Sequence, residues 1–196
     1  MALLVRDISK RGWASLNVGY RRVGRFGGGG GWPATFHDVR DAIDALQGRP
    51  GIDSESVVVV GHSAGGHLAL WAVKEAARPP LGVVSMAGVA DLEPSWHGGD
   101  QAVRALIEAA PADERFALTS PRQRRPLGVP ILCVHGGDDT TVRPAMSTDF
   151  VDAASQVGDD ARVVIVPGEA HRDPLRPSSA IWAAAIDAIE GWLAPS

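Results

Sequence analysis

The chain of 196 residues has one cysteine, two lysines and no long apolar run, and each scarcity excludes something. A lone Cys133 cannot close an internal disulfide, which suits a reducing compartment. No stretch approaches the ~18 consecutive apolar residues that cross a bilayer. The opening segment MALLVRDISKRGW is interrupted by Arg6, Asp7 and Lys10, so it lacks the apolar core of a secretory leader. Together these absences set the expectation of a cytoplasmic protein with no membrane partner. Metal-site spacing is missing too. Six histidines occur without H-E-x-x-H and without paired cysteines, so no metal is expected, and nothing implies an organic cofactor. Lysine is confined to Lys10 and Lys74, and the formal net charge is -4. A nucleic-acid partner would call for a basic face, so none is expected.

What is present is a chain 45% hydrophobic and 21% charged with six Trp, long enough for one domain of ~100–200 residues with a real core. Residues 57–60, 130–134 and 162–166 are runs of Val, Ile and other apolar residues, and 14–20 and 81–86 are weaker ones. Such runs without polar alternation read as strands buried on both faces, as in a parallel sheet. Helical spacing lies between them. Phe36, Val39, Ile43 and Leu46 recur at three- and four-residue steps after Pro33. Leu68 to Val73 continue a second helix, Met146 to Ala154 a third, and Ile181 to Trp192 a fourth. Alternation of this kind predicts an α/β fold with a mainly parallel sheet over residues 1–196. Residues 91–126 break the pattern and read as an insertion between two strands, hence a lid or rim.

The chemistry concentrates at Gly61-His62-Ser63-Ala64-Gly65-Gly66, directly after the Val run and before a helical pattern. This is G-x-S-x-G at a strand-to-helix turn. The turn is so tight that the nucleophile takes strained backbone angles, and small neighbours such as Gly61, Gly65 and Gly66 let it close. The pentapeptide alone is a weak sign; the strand before it and the helix after it are what give it force. A serine hydroxyl also needs a base to take its proton and a carboxylate to fix that base. Asp138 and Asp139 follow the strand at 130–134, and His171 follows the strand at 162–166. All lie just past the C-terminal ends of expected parallel strands, on the edge where Ser63 stands, which is where open α/β sheets place their sites.

The acid turn His135-Gly136-Gly137-Asp138-Asp139-Thr140-Thr141-Val142 resembles the H-G-x-x-D-x-x-V pattern of the α/β-hydrolase superfamily. That resemblance assigns the acid to Asp139, with Asp138 as the fallback. Asn17-Val18-Gly19-Tyr20-Arg21-Arg22, Gly31-Trp32-Pro33-Ala34-Thr35-Phe36 and Gly61 through Ala69 look like the esterase/lipase branch that includes arylformamidases. The likeness runs from about Trp13 to the C-terminus. It implies an α/β-hydrolase fold, with Ser63 as nucleophile, His171 as base, Asp139 as orienting acid and the Ala64 N–H in the oxyanion hole.

One departure stands out. The branch carries an H-G-G loop well before its nucleophile, whose backbone N–H is the second oxyanion donor. None precedes Ser63 in this sequence, and the chain opens at what matches the helix after that loop, with Leu3, Leu4 and Ile8 expected on one face. In the superfamily the strand before that loop lies between the strands matching 14–20 and 57–60. The expectation is therefore an N-terminally shortened fold, favoured over direct pairing of those two strands.

Other features read more plainly. His135-Gly136-Gly137 belongs to the acid turn, and His97-Gly98-Gly99 reads as a surface turn. His62 and His67 read as packing or supporting groups, Cys133 as a core residue, and residues 27–31 as a loop rather than a phosphate cradle. Trp32 and Trp96 read as packing residues, with lining of an aromatic-accepting pocket as the alternative. The functional expectation is a serine hydrolase acting on a small-molecule ester or amide, and the resemblance admits an N-formyl aromatic amide. The alternative is a non-catalytic α/β-hydrolase-fold protein that binds a small molecule without turnover.

Overall fold

The structure, a computed structural model, describes residues 1–24 and 28–194. Four parallel strands form one sheet in the order β1 (Val58–His62), β2 (Gly82–Met86), β3 (Ile131–Gly136) and β4 (Ala161–Val166). Because the order runs steadily in one direction, crossovers of a single hand place their helices on one face. That face carries α3 (Ala64–Ala72) and α7 (Ala145–Ser155), whose Ala69, Leu70, Phe150 and Val151 meet Val83, Ile131 and Cys133. The other face receives α8 (Ala180–Leu193), which follows the last strand and folds back over it. Ile181, Trp182, Ala185 and Ile189 cluster there with Val84, Met86, Leu132 and Val134. Residues 83, 131 and 133 thus serve one core and residues 84, 132 and 134 the other, as the two-residue period of a strand requires.

An N-terminal helix, α1 (Ala2–Lys10), joins the α8 side through Leu4 and Ile8, and Asp7 accepts a 2.9 Å hydrogen bond from the Trp182 indole N–H. Leu3 was expected on that inward face but is 53% exposed. Its neighbour Leu4 takes the buried position, one residue and about 100° further round the helix. On the opposite side α2 (Ala34–Asp44) packs on the outer surface of α3 through Phe36, Val39 and Ile43 against Leu68, Trp71 and Ala72. A helix covered on both sides is apolar all round, which accounts for α3.

Two strand expectations need correction. Burial on both faces holds for β2 and β3 but not for the outer strands: β1 is mostly half-buried, and β4 is made of half-buried and exposed residues. Both lie at the edges of the sheet formed by the described residues, where one flank has no strand beside it. Residues 14–20 form no strand and are mostly exposed, so they do not pair with β1, whose partner among the described residues is β2. Apolar, β-branched character does not make a strand where no neighbour takes its backbone hydrogen bonds.

Residues 91–126 hold three short helices, α4 (Leu92–His97), α5 (Gln101–Ile107) and α6 (Glu114–Thr119), and a 3-10 turn (Pro121–Arg124). Asp91, Asp100 and Asp113 cap the three helices by accepting N–H groups of the first turn, the role for which a short carboxylate suits an N-terminus. Leu92, Val103, Ile107 and Phe116 give the segment a small core of its own.

Candidate active site

Ser63 stands between the end of β1 and the start of α3, with φ 55° and ψ −122°. A positive φ is costly for a residue with a side chain, and the surroundings hold it there. The Ser63 N–H donates to the Met86 carbonyl at 3.0 Å, and the Ser63 carbonyl accepts from the His67 N–H at 3.1 Å. A Cβ on Gly61 would stand 2.0 Å from the Gly65 carbonyl oxygen, and one on Gly66 would stand 2.9 Å from the Gly88 Cα. Gly61 and Gly66 are therefore required by close backbone approach. Gly65 differs, since a Cβ there meets nothing within 4 Å; it is the backbone at 65, not the missing side chain, that matters to the turn.

The three residues named from the sequence meet above the C-terminal edge of the sheet. His171 Nε2 lies 3.0 Å from Ser63 Oγ, and His171 Nδ1 lies 2.7 Å from Asp139 Oδ2. Asp138 is exposed, whereas Asp139 is buried and faces His171, so of the two acids the turn presents the second. The other Asp139 oxygen accepts the N–H groups of Thr141 and Val142 at 2.8 and 2.9 Å. Burial by itself would raise this carboxyl, but hydrogen bonds from His171, Val142 and Thr141 outweigh it and hold the group below the usual carboxylate value. Asp139 is thereby kept ionised and oriented.

Two further histidines join this arrangement. His135 Nε2 is 2.8 Å from the Val142 carbonyl and 3.2 Å from Asp139 Oδ2, and its Nδ1 is 2.7 Å from Ser147 Oγ. A carbonyl only accepts, so Nε2 carries the proton and Nδ1 accepts a hydrogen bond from the Ser147 hydroxyl. Burial lowers the His135 pKa and favours that neutral form. His62 sends Nε2 to the His171 backbone carbonyl at 2.6 Å. Sequence reasoning placed His135 inside the acid motif and His62 beside the nucleophile but found neither contact, because both depend on loops that only the fold brings together.

The His171 loop is braced on two more sides. The Asp138 N–H donates to the Glu169 carbonyl at 3.0 Å, which links it to the acid turn. The Glu169 carboxylate accepts from Ser179 Oγ and from the Ala180 and Ile181 N–H groups at the start of α8, where an anion complements the helix N-terminus. Ala64 opens α3, and the first N–H groups of a helix have no intrahelical acceptor. Its N–H directly follows Ser63 in the chain, at the N-terminal end of the helix, where anions are favoured.

The remaining candidates fall outside this cluster. Trp32 packs edge-on against Phe36 and Trp71, with ring centres 5.2 and 6.3 Å away. Trp96 lies under the Arg104 guanidinium at 5.0 Å and lines a surface hollow of about 430 Å³ with Arg104 and Glu108. His67 is fully buried beside Phe36, its Nδ1 donating to the Val89 carbonyl at 3.0 Å. Cys133 is a core residue, and burial pushes its thiol up to about 12. His97 is exposed, 3.7 Å from Glu93. Of the glycine run, Gly27 lies outside the described residues, and Gly30 packs against the Arg22 backbone, its N–H donating to the Arg22 carbonyl at 3.0 Å. Among the described residues no three His, Cys, Asp or Glu side chains are grouped to hold a metal, and no helix is long and apolar enough to cross a membrane.

A strained serine at a strand–helix elbow, bonded to a histidine and through it to a buried aspartate, on a parallel sheet, is the arrangement of an α/β-hydrolase fold. Solved structures of that fold superpose on the chain. An acetyl ester-xyloside bifunctional hydrolase from Caldicellulosiruptor lactoaceticus matches 83% of this chain and 65% of its own, at 23% identity and TM-score 0.68. A bifunctional GH43-CE protein of Bacteroides eggerthii matches 84% of this chain and 26% of its own, at 23% identity and TM-score 0.70. The sequence profile of the prolyl oligopeptidase family matches residues 17–193, so the chain belongs to that family. Dipeptidyl peptidase family member 6 of Caenorhabditis elegans is 26% identical over 184 residues, 84% of this chain. The chain spans only 25% of that relative's length.

Proposed function

We propose that the protein is a serine hydrolase that cleaves a carboxylic ester or a small amide. The observation that carries this reading is the continuous line Ser63 Oγ–His171–Asp139, with hydrogen-bond distances of 3.0 and 2.7 Å. Ser63 Oγ attacks the substrate carbonyl carbon while His171 Nε2 takes the hydroxyl proton. Asp139 holds Nδ1–H in place and balances the imidazolium. The tetrahedral oxyanion forms beside the Ala64 N–H. His171 then hands its proton to the leaving alcohol or amine, which departs and leaves an acyl group on Ser63. Water, deprotonated by the same imidazole, releases the acid and restores the serine.

The kinship with an ester hydrolase fold and with a peptidase family supports acyl transfer as the reaction class. The residues resembling arylformamidases make N-formyl aromatic amides the first amides to try after acyl esters. Residues 91–126 would form the rim over the substrate. A second reading is a pocket that binds a small molecule without turnover. The test is labelling with a fluorophosphonate, followed by hydrolysis of p-nitrophenyl acetate and of an N-formyl aromatic amide. Labelling that disappears in Ser63→Ala supports the hydrolase. Labelling that survives the substitution sinks it, and an unlabelled protein that still binds aromatic esters favours the second reading.

A further inference from the structure

His62 does more than separate Gly61 from the nucleophile. It is the last residue of β1, and by the two-residue period it shares the α8 side of the sheet with Val58 and Val60. Its ring lies 4.9 Å from the His171 ring, tilted by 47°, and its Nε2 is 2.6 Å from the His171 carbonyl oxygen. Since that oxygen can only accept, the proton sits on Nε2 and the tautomer is set. The contact joins two residues 109 positions apart in the chain. One belongs to the strand that carries the nucleophile, the other to the irregular loop that carries the base.

The bracing described above ties the same loop elsewhere. Glu169 fastens it to α8, Asp138 fastens it to the acid turn, and the Ala170 N–H is held within the loop by Asp173 at 2.7 Å. None of these sets its distance from β1. A loop without regular hydrogen bonding keeps its backbone freedom unless side chains remove it. Accepting the reading of Ser63 and His171 as nucleophile and base, we infer that His62 is a positioning residue. Its Nε2–H clamps the His171 backbone to the nucleophile strand and so sets the reach of the His171 ring to Ser63 Oγ. Burial lowers the His62 pKa, so the clamp is uncharged at neutral pH and does not oppose the charge that develops on its neighbour.

Two arms test this on the full chain, each with His62→Phe, which keeps the ring and loses the donor, and His62→Gln, whose amide N–H can reach the same carbonyl. The first arm is amide hydrogen exchange, which needs no turnover. Exchange at residues 170–172 should quicken about tenfold or more in His62→Phe, return toward wild type in His62→Gln, and leave β2 and β3 unchanged. The second arm is ester hydrolysis. In His62→Phe kcat should fall by roughly 10- to 100-fold, the scale of a base misplaced by a fraction of an ångström to an ångström. KM should stay within about threefold, and His62→Gln should recover most of kcat. Exchange in the loop that is unchanged by His62→Phe overturns the clamp. So does an active wild type whose His62→Phe variant keeps its kcat, or a glutamine variant no better than phenylalanine in either arm. A wild type that neither labels nor turns over defeats the hydrolase reading alone, because the exchange arm still decides whether the clamp exists.

Discussion

His135 and His171 share one oxygen of Asp139, with Nε2 of the first at 3.2 Å and Nδ1 of the second at 2.7 Å. The two N–H groups of Thr141 and Val142 occupy the other oxygen. A carboxylate with every direction taken cannot turn, and its one outward-reaching partner is the histidine that meets Ser63. Ser147, bonded to the far nitrogen of His135, extends the support into α7. The acid is thus held from β3, its own turn and a helix at once.

The first prediction separates the two neighbouring acids. Asp139→Asn preserves shape but offers His171 an amide in place of a carboxylate, so the imidazole takes the wrong tautomer and loses its counter-charge. Ester hydrolysis should fall by about 1,000- to 10,000-fold, with the fold retained by circular dichroism. Asp138→Asn, at an exposed side chain, should keep kcat within about twofold. Equal losses in both would show that the turn, rather than the Asp139 carboxylate, is what hydrolysis depends on.

A second prediction concerns pH and His67. Full burial lowers this histidine from the ordinary value to about 4. Unfolding releases it to take up a proton near pH 6.5, so between those values the unfolded state binds more protons than the folded one. Stability is therefore complete above about pH 6.5 and declines as pH falls toward 4. For a shift of that size the loss approaches roughly 3 kcal/mol. His62 and His135, also lowered by burial, act in the same direction. Urea midpoints at pH 7.5, 5.5 and 4.5 should fall steadily in wild type and less steeply in His67→Gln. Parallel slopes would mean that His67 is charged in the folded state.

Much of this was legible because it is local. The Val run at 57–60 and the turn Gly61 to Gly66 announce a strand, an elbow and a helix through residue size and order alone. Asp139 and His171 stand out in the sequence because each follows an apolar run. The gaps concern neighbours. Nothing in residues 14–20 tells that they lack a strand partner, and nothing in the runs of β1 and β4 tells that they lie at edges. The basic turn Pro121-Arg122-Gln123-Arg124-Arg125-Pro126 does not show in the sequence which groups its arginines meet. Arg122 donates to the Asp149 carbonyl at 2.8 Å, Arg124 to that of Leu118 at 3.0 Å, and Arg125 to that of Ala153. Arg122 and Arg125 thus reach α7, 27 and 28 residues further on, while Arg122 also pairs with Asp91 and Arg124 with Glu75. The three capping aspartates at 91, 100 and 113 were a signal that could have been read, since each precedes a short helical stretch.

The elbow glycines supply a third prediction, because composition treats them alike and geometry does not. Gly61→Ala drives a Cβ into the Gly65 backbone at 2.0 Å. Backbone cannot step aside as a flexible side chain does, so the substitution should cost at least about 2 kcal/mol and abolish fluorophosphonate labelling. Gly65→Ala meets nothing within 4 Å and lies in α3, where alanine is favoured over glycine by up to ~1 kcal/mol. It should match or exceed wild-type stability in thermal melting. A Gly65→Ala variant as unstable as Gly61→Ala would refute the distinction.

The last prediction asks whether residues 91–126 behave as a unit. Their apolar residues Leu92, Val103, Ile107 and Phe116 pack mainly on one another rather than on the sheet. From α5 and α6 the hydrogen bonds outward are the Trp32 N–H to the Leu106 carbonyl at 2.8 Å and the Trp71 indole N–H to the Leu118 carbonyl at 2.9 Å, whereas the 3-10 turn is bound more widely, Arg122 to Asp149, Arg124 to Glu75 and Arg125 to Ala153. Phe116 is completely buried, and Phe→Ala in a core costs about 3–5 kcal/mol. Lost from a core this small, that amount exceeds what three short helices can hold against opening, while the sheet keeps both of its own cores. Hydrogen exchange in Phe116→Ala should therefore become fast through α5 and α6 and stay slow in β2 and β3. Equal acceleration in the strands would show that segment and sheet unfold together, and a rim that moves on its own would then be ruled out.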